Sequence, residues 1–376
     1  MRPHHQLYLC FFLLSLTVGS MFSRLPDIQV ALGVNKASLG LVLIGLSCGA
    51  FIGLTIAAPI IARFGVRLSI MVPLAVVSIC ASLISIASHP AIAFGTLFIL
   101  GVFISVLEVC LNLETDRHSA MLERGIMSRA HSMWSGGFFV AAIIGSGFRD
   151  MQIATSGHLL LIALVVILVV VLVVSKIVPA TARAEEAQSA TPIFALPTVE
   201  MVGLCIVVAA PMLAEGAGVD WSLIYMRDAF GTDPWTSGMA LSGFTLAMAI
   251  ARWFADPIVD HFGRKRTAGV LLGLTGIGAA MIIFAPAPMV AIAGFVIMGI
   301  GCSAVYPITI SAAAQRTDRP AAVNVAALGQ SAFVILFLGP PLLGFIAEHF
   351  GVRSAYLACL PLVVASLLFL NSLDKK

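Results

Sequence analysis

The feature that most constrains this chain is a series of apolar stretches, each about 20 residues long, that recur along its whole length. A helix of that length crosses the ~30 Å hydrocarbon core of a bilayer. Lipid offers backbone groups no hydrogen-bond partner, so a spanning segment is either a helix or part of a closed barrel. The stretch Leu159–Val174 is apolar without interruption, whereas barrel strands alternate in polarity. The sequence therefore predicts an all-α integral membrane protein in contact with a lipid bilayer.

Composition narrows the function classes. Only 10% of the residues are charged and 60% are hydrophobic, whereas a soluble domain has about a quarter of its residues charged. The net charge of +3 is too small to indicate nucleic-acid binding. The seven cysteines lie in apolar spans without metal-ligand spacing, so we expect no metal site. No HExxH, GxSxG or phosphate-loop motif occurs, and the chain is not expected to be an enzyme.

Charged and Gly/Pro-rich breaks divide the chain into twelve predicted spans, and the only long polar connection is 179–196. This organisation predicts an N-terminal six-helix bundle over 1–178, a cytoplasmic linker over 179–196 and a C-terminal six-helix bundle over 197–376. The spans are 7–30, 37–61, 68–88, 91–115, 127–148, 156–178, 197–223, 235–259, 266–286, 288–313, 321–346 and 352–372.

The distribution of Lys and Arg predicts the orientation. If the N-terminus is cytoplasmic, fifteen of the 21 basic side chains lie at cytoplasmic ends, five lie at outer ends, and Arg252 lies within a span. Cytoplasmic ends of membrane helices carry an excess of Lys and Arg. Both termini are therefore predicted to be cytoplasmic.

The two halves form a repeat. A shift of 198 residues places 59–67, PIIARFGVR, on 257–265, PIVDHFGRK, and matches eight residues between 25 and 57 with identical ones without a gap. Repeats in the same direction with six spans each are typical of the two halves of a major facilitator transporter.

The repeated segment is similar to the loop motif between the second and third helices of each major facilitator half. The second copy matches it well, while the first has Ala62 where an acid is expected. The loop motif either takes part in gating or only determines the membrane topology. The motif residues are Arg63, Gly65, Arg67, Asp256, Asp260, Gly263, Arg264 and Lys265.

Polar stripes occur at equivalent positions of spans 1, 4, 7 and 10, and in the superfamily these four helices line the central cavity. One stripe contains Thr17, Ser20, Arg24 and Asp27, spaced by 3, 4 and 3 residues, which places them on one helix side. The others are Gly101, Ser105, Glu108 and Asn112; Glu215, Gly218, Ser222 and Tyr225; and Gly299, Ser303, Tyr306 and Ile310.

Two acids are candidates for proton coupling, because an ionisable group inside a bilayer is costly and usually functional. Glu108 lies among apolar residues, where a carboxyl group is cheaper to bury when protonated. Its alternative role is a structural hydrogen bond to a neighbouring helix. Glu215 lies beside Pro211 and Gly216, where a weakened helix near the midplane favours a binding site.

Ten further residues are candidates for substrate binding, and most have a structural alternative. Arg24 and Asp27 form a local i,i+3 ion pair, an outer gate or a substrate contact. Trp221 is either a site residue or an interfacial anchor, and the Gln330 amide binds either a sugar-like ligand or a neighbouring helix. The full set is Arg24, Asp27, Asn112, His131, Trp134, Asp220, Trp221, Tyr225, Tyr306 and Gln330.

Several motifs resemble a bacterial branch of major facilitators that is related to the fucose permeases and includes the rhizopine transporter type. They are SRLPDIQVALG at 23–33, Glu108 with Asn112, the segment 127–137, AEGAGVDWSLIYMRD at 214–228 and LGPPLLGFIAE at 338–348. The resemblance implies uptake of a small sugar, polyol or inositol-amine across the bacterial inner membrane. Nothing in the sequence demands more than a monomer. Coupling to protons would be mediated by Glu108, and the proton gradient replaces any cofactor.

Two alternatives remain. Drug:proton antiporters resemble one another in a GPxxGG-type motif on helix 5 and in an Arg on helix 4. In this chain Ser135 precedes Gly136 and Gly137 without a proline, and Thr96–Gly101 contains no Arg. Proton-driven efflux is therefore the weaker hypothesis. A non-transporting membrane receptor would be expected to lose its intramembrane acids and to gain a signalling domain, neither of which is seen.

Overall fold

The computed structural model describes residues 3–123, 126–180 and 195–374, and residues 181–194 of the predicted linker lie outside the described residues. Across the described ranges helix occupies all twelve predicted spans and no strand occurs, so the all-α prediction is confirmed. Two compact units are formed. The first contains the described residues up to 180 together with Asp233–Ser242, and the second contains 195–232 and 243–374.

The first unit is built from six helices before residue 180, some of them followed by a short 3-10 turn. Pro26 lacks a backbone N–H, so the first predicted span is broken at Arg24 into two helices. The helices are α1 Pro3–Ser23, α2 Leu25–Leu32, α3 Lys36–Leu83, α4 Pro90–Met121, α5 Met127–Asp150 and α6 Thr155–Leu172.

The second unit contains the later helices, with α8 shared between the two units. The helices are α7 Val202–Phe230, α8 Pro234–Trp253, α9 Ala255–Phe262, α10 Arg264–Ile283, α11 Pro288–Cys302, α12 Val305–Ala314, α13 Ala321–Phe350, α14 Val352–Ala355 and α15 Cys359–Leu368.

The outer faces of the helices are apolar. On α6, Leu160, Leu164, Leu168 and Val171 share one side and are each more than half exposed, at 53, 58, 56 and 57%. Exposure of a contiguous apolar face of this size to water is unfavourable, whereas lipid solvates it. Eight described helical segments are long and apolar enough to cross a membrane, or nine if α8 and α9, bent by 54°, form one span.

Helix ends repeat between the halves with the 198-residue shift. Asn35 caps α3 by accepting a hydrogen bond from the Ser38 backbone N–H at 2.8 Å, and Asp233 accepts one from the Thr236 N–H at 2.9 Å at the start of α8. The hydrogen bonds from Thr236 hold the pKa of Asp233 below its usual range. Repetition of one capping geometry at equivalent positions indicates that the sequence repeat is also a structural one.

Close helix crossings also repeat. A Cβ atom at Gly101 of α4 would collide with the Leu46 carbonyl oxygen and lie 2.8 Å from the Ala50 nitrogen of α3. The equivalent glycine, Gly299 of α11, would collide with the carbonyl oxygen of Phe244 on α8, which is the equivalent of Leu46. Backbone contact at this distance requires glycine in both halves.

This crossing makes a prediction for Gly101→Ala. Alanine favours a helix by about 1 kcal/mol over glycine, but the added methyl group should separate α3 from α4 and lower the free energy of unfolding by about 1–3 kcal/mol. The apparent Tm of the purified protein in detergent measures the change. Gly95→Ala on the same helix is the control, because nothing lies within 4 Å of its Cβ position. Equal Tm values for the two variants would contradict the close crossing.

Candidate functional site

The polar stripe of α4 is the first component of the candidate site. Ser105 is buried and Glu108 is partly buried, between the buried side chains of Val106 and Leu107 and the partly buried Val109. Among the described residues Glu108 has neither a hydrogen-bond nor an ion-pair partner. The buried Asn112 side-chain oxygen also lacks a donor. The stripe therefore presents a carboxyl group and an amide that no described protein group satisfies.

Glu215, the second predicted coupling acid, is in a different environment. The Arg252 Nη2 atom of α8 lies 3.2 Å from Glu215 Oε1 and 3.1 Å from Oε2. The two side chains are 15% and 24% exposed. A guanidinium group that contacts both carboxylate oxygens stabilises the charged form of the acid. Glu215 is thus held as an ion pair, whereas Glu108 is not.

Arg252 also binds a break in the tenth predicted span. This span is divided into α11 and α12 because residue 307 is proline, which has no N–H to donate to the Ser303 carbonyl one turn earlier. Arg252 Nε donates to that carbonyl at 2.9 Å instead. One guanidinium group therefore joins α7, α8 and the α11–α12 break within the second unit.

Arg252→Gln should lower the free energy of unfolding by roughly 1.5–3 kcal/mol, the value of hydrogen bonds to a charged group. The loss arises because the Glu215 carboxylate and the Ser303 carbonyl would both lose a donor. Thermal unfolding in detergent measures it, and Arg227→Gln, which breaks an ion pair with the adjacent Asp228, is the control. If the double variant Glu215→Gln, Arg252→Gln loses as much free energy of unfolding as the two single variants together, the pair is not coupled.

A third polar group lies at the break between α1 and α2, on the side predicted to face outward. Arg24 Nε lies 3.3 Å from Asp27 Oδ2, which confirms the local contact expected from the i,i+3 spacing. Arg149 Nε at the end of α5 lies 3.0 Å from both Asp27 oxygens. The closer partner of Asp27 is therefore Arg149, which sequence analysis treated only as a basic residue at a helix end.

The aromatic candidates on α7 are packed inside the second unit. Tyr225 is 1% exposed, contacts the rings of Phe295 and Tyr356, and donates its hydroxyl hydrogen to the Ile282 carbonyl. Trp221 is 2% exposed, and its indole N–H has no acceptor among the described residues. Asp220, one residue earlier, is partly buried without an ion-pair or hydrogen-bond partner there.

The remaining candidates are partly buried and distributed over three helices. The Gln330 side-chain oxygen on α13 accepts a hydrogen bond from the Ala195 backbone N–H at 3.0 Å, in the segment that precedes α7. The Tyr306 hydroxyl lies 3.8 Å from the Cβ position of Gly329. His131 contacts the Phe11 ring at 5.3 Å, and Trp134 on the same helix contacts Phe138 at 5.8 Å.

The two loop-motif copies share one turn geometry. Gly65 has φ 74° and ψ 164°, and Gly263 has φ 81° and ψ 157°, a conformation that strongly favours glycine. Because only Gly65 is non-helical, the second and third predicted spans appear as the single segment α3. Arg67 donates to the Ile177 carbonyl at 3.2 Å, and Arg264 donates to the Gln315 side chain at 2.8 Å.

The other members of the motif differ in their surroundings. Arg63 lies over the Phe64 ring at 5.5 Å. Asp256, Asp260 and Lys265 are exposed. The turn is therefore conserved between the halves more closely than the charged contacts around it.

Comparison with known proteins identifies the family. The Major Facilitator Superfamily profile matches residues 203–375, and the Sugar (and other) transporter profile matches residues 14–189. An uncharacterized MFS-type transporter of Yersinia pestis is 29% identical over 371 residues, which are 95% of this chain and 93% of the relative. The chain belongs to the major facilitator superfamily. It is therefore a multi-pass membrane transporter, and the family recognised from the sequence is confirmed.

Solved structures support the fold of this transporter. The nucleoside transporter NupG superposes with a TM-score of 0.72 at 14% identity and covers 100% of both chains. The transporter FucP in the outward conformation superposes with a TM-score of 0.66 at 15% identity, covering 100% of this chain and 99% of FucP. The all-α major facilitator fold predicted from the repeat is thus confirmed.

Four charged or polar groups of the transporter were not singled out by sequence analysis: Arg149, Arg252, Glu114 and His158. Glu114 on α4 is fully buried and accepts hydrogen bonds from Arg117 at 2.7 Å and from the Ala180 N–H at 2.9 Å. His158 on α6 is fully buried, and neither ring nitrogen has a partner among the described residues. Pro307 was the available signal for the Arg252 contact, because it leaves a carbonyl without a donor.

Proposed function

We propose that the transporter takes up a small polyhydroxylated solute, a sugar, polyol or inositol-amine, together with protons. The observation that carries this proposal is the Glu108 carboxyl group, which lies on the polar stripe of α4 and has no partner among the described residues. A carboxyl group in apolar surroundings is stabilised by taking up a proton. Binding and release of that proton would couple the proton gradient to solute movement.

The proposed cycle uses alternating access. When Glu108 faces the outside, it takes up a proton while hydroxyl groups of the solute bind the polar stripe of α4. Neutralising the carboxylate removes the cost of enclosing a charge, so the transporter can close and then open inward. No cofactor is required beyond the proton gradient.

Glu215 has a different place in this proposal. Both of its carboxylate oxygens contact Arg252, so it would be free to act in transport only when Arg252 moves away. We assign it first to holding α7 against the break between α11 and α12. The candidates Asn112 and Tyr306, which lie on the stripes of α4 and α12, are proposed to contact the solute, and Trp221 to supply an apolar wall.

The organisation follows the family. We propose that residues 1–178 and 197–376 form the two halves, that 179–196 links them on the cytoplasmic side, and that the transporter works as a monomer in the bacterial inner membrane. Several relatives of known structure are sugar or nucleoside transporters, among them a structure described as the fucose:proton symporter of E. coli. That likeness supports a polyhydroxylated solute and proton coupling.

Proteoliposomes test the proposal. Purified transporter would first be screened by thermal shift against sugars, polyols, inositols and aminated inositols, because a ligand that binds only the folded state raises Tm. Radiolabelled hits would then be offered to liposomes with an imposed pH gradient, acid outside. Accumulation that collapses when the gradient is dissipated supports symport. Solute movement in the opposite direction, or uptake that does not depend on the gradient, would contradict it.

A further inference from the structure

A cavity of about 220 Å³ opens beside the α1–α2 break in the first unit. Its lining includes Arg24, Asp27 and Arg149, the segment Gln152–Thr155 that leads into α6, and Pro234. Sites for drug-sized ligands are about 300–1,000 Å³. This cavity is therefore suited to one charged end group of a small solute.

The guanidinium group of Arg24 is the most unusual feature of this cavity. Arg24 is 2% exposed, and one of its terminal nitrogens donates to the Ile153 carbonyl. Its Nε atom lies 3.3 Å from Asp27 Oδ2 without forming a hydrogen bond, and its Nη1 atom is buried with no hydrogen-bond acceptor among the described residues. A buried charged donor without an acceptor is costly, so Nη1 in particular is available for an acceptor from a ligand.

The electrostatic balance of the cavity is positive. Asp27 is the only acid in its lining, and its two oxygens lie 3.0 Å from Arg149 Nε. Two guanidinium groups therefore face one carboxylate. The nearby Asp233 accepts the hydrogen bond that caps α8.

The start of α6 adds to this balance. Ala154, the residue before the helix, has a methyl side chain, which cannot accept a hydrogen bond from the first turn. Ala154 and Thr155 line the cavity, so the uncapped N-terminus of this 18-residue helix and the positive end of its dipole lie at the cavity. This second feature favours an anion independently of the two arginines.

We propose that this cavity binds the carboxylate group of an anionic sugar or polyol acid. Arg24 Nη1 and the first turn of α6 would donate to the carboxylate oxygens, and Arg149 would add positive charge. This inference rests on the proposed function and narrows it: among polyhydroxylated solutes it favours sugar acids over neutral sugars and over aminated inositols, whose positive charge the two arginines would repel.

The test compares ligands that differ in one group. Thermal shift of the purified full-length transporter is measured with gluconate, glucuronate, glucitol, glucosamine and inorganic phosphate at constant ionic strength, because salt screens exposed charges. Gluconate and glucuronate should raise Tm, while glucitol and glucosamine should not. If phosphate raises Tm and the carboxylates do not, the pocket is a site for an inorganic ion and the proposal is overturned. It is equally overturned if no anion has an effect.

Variants assign the effect to the cavity. Arg24→Gln should weaken carboxylate binding at least tenfold (about the value of one charge-assisted hydrogen bond). Arg353→Gln is the matched control, because Arg353 donates to the carbonyls of Ile283 and Ala285 in the second unit and should leave binding unchanged. Retention of wild-type affinity in Arg24→Gln would overturn the assignment.

Asp27→Asn supplies a variant whose predicted effect is a gain. Removal of the competing carboxylate should tighten gluconate binding by about threefold or more, because like charges a few ångströms apart repel. If Arg24 and Asp27 were only a structural pair, the variant would lower Tm without improving binding. The binding measurement needs no proton gradient. Carboxylate binding can therefore fail while proton-driven accumulation succeeds, and accumulation can fail while binding succeeds.

Discussion

Proteoliposomes that contain the Glu108→Gln variant should fail to accumulate solute when a pH gradient is imposed. Glutamine has nearly the shape of a protonated glutamate but cannot release a proton, so the variant resembles the loaded carrier permanently. For one proton per solute, a gradient of one pH unit sustains about tenfold accumulation in the wild type. In the variant the internal and external concentrations should become equal.

Exchange separates coupling from folding in this experiment. The variant should still exchange internal labelled solute for external unlabelled solute, because that reaction needs no net proton movement. Glu200→Gln is the matched control: this carboxyl group is exposed before α7 and has no partner among the described residues. It should accumulate solute as the wild type does. A Glu108→Gln variant that still concentrates solute would show that another group carries the proton.

Glu215→Gln is expected to behave differently from Glu108→Gln. Its carboxylate is paired with Arg252, so neutralising it removes the negative charge that faces this guanidinium group, which also donates to the Ser303 carbonyl. The main effect should therefore be on stability and on the amount of folded protein. Comparing the two variants distinguishes a proton carrier from a structural ion pair.

Features that depend on local physics could be predicted from the sequence. Apolar runs predicted an all-α membrane fold, and the 198-residue repeat predicted a geometry that recurs at Asn35 and Asp233. The i,i+3 spacing predicted that Arg24 and Asp27 would meet. Each of these features depends on helix periodicity or on residues within one turn, which a single sequence contains.

Contacts whose partner lies on another helix could not be predicted from the sequence. Arg149 is 122 residues from Asp27 in sequence, and Arg252 is 37 residues from Glu215. Periodicity shows which side of a helix is polar, but it does not show which helix packs against that side. The prediction that Glu215 lies in a polar site was therefore possible, whereas the identity of its counter-ion was not.

Glu114 gives the largest expected effect on stability. It is fully buried near the end of α4, where Arg117 Nη1 lies 2.7 Å from Oε1 and the Ala180 N–H donates to Oε2 at 2.9 Å. His118 Nδ1 lies 3.8 Å from the same Oε2 atom. One carboxylate thus joins α4 to the chain that follows α6. Glu114→Ala should lower the free energy of unfolding by about 3–5 kcal/mol, the cost of breaking a buried ion pair from one side.

The series of substitutions separates charge from hydrogen bonding. Glu114→Gln keeps an acceptor for the Ala180 N–H but loses the charge that balances Arg117, so its loss should be smaller, roughly 1.5–3 kcal/mol. Apparent Tm and the yield of monodisperse protein measure both effects. Glu200→Ala is the control, because Glu200 is exposed and has no partner among the described residues.

A double-mutant cycle with Arg117→Ala then isolates the ion pair. If the carboxylate acts mainly on Arg117, the double variant should be more stable than the sum of the single losses implies, because the uncompensated buried charge disappears with its partner. If the losses simply add, the contact to the Ala180 N–H carries the effect. A Glu114→Ala variant that melts with the wild type would show that the carboxylate does not hold α4 to the segment after α6. In that case the helix packing alone, including the Gly101 crossing, would fix the end of α4.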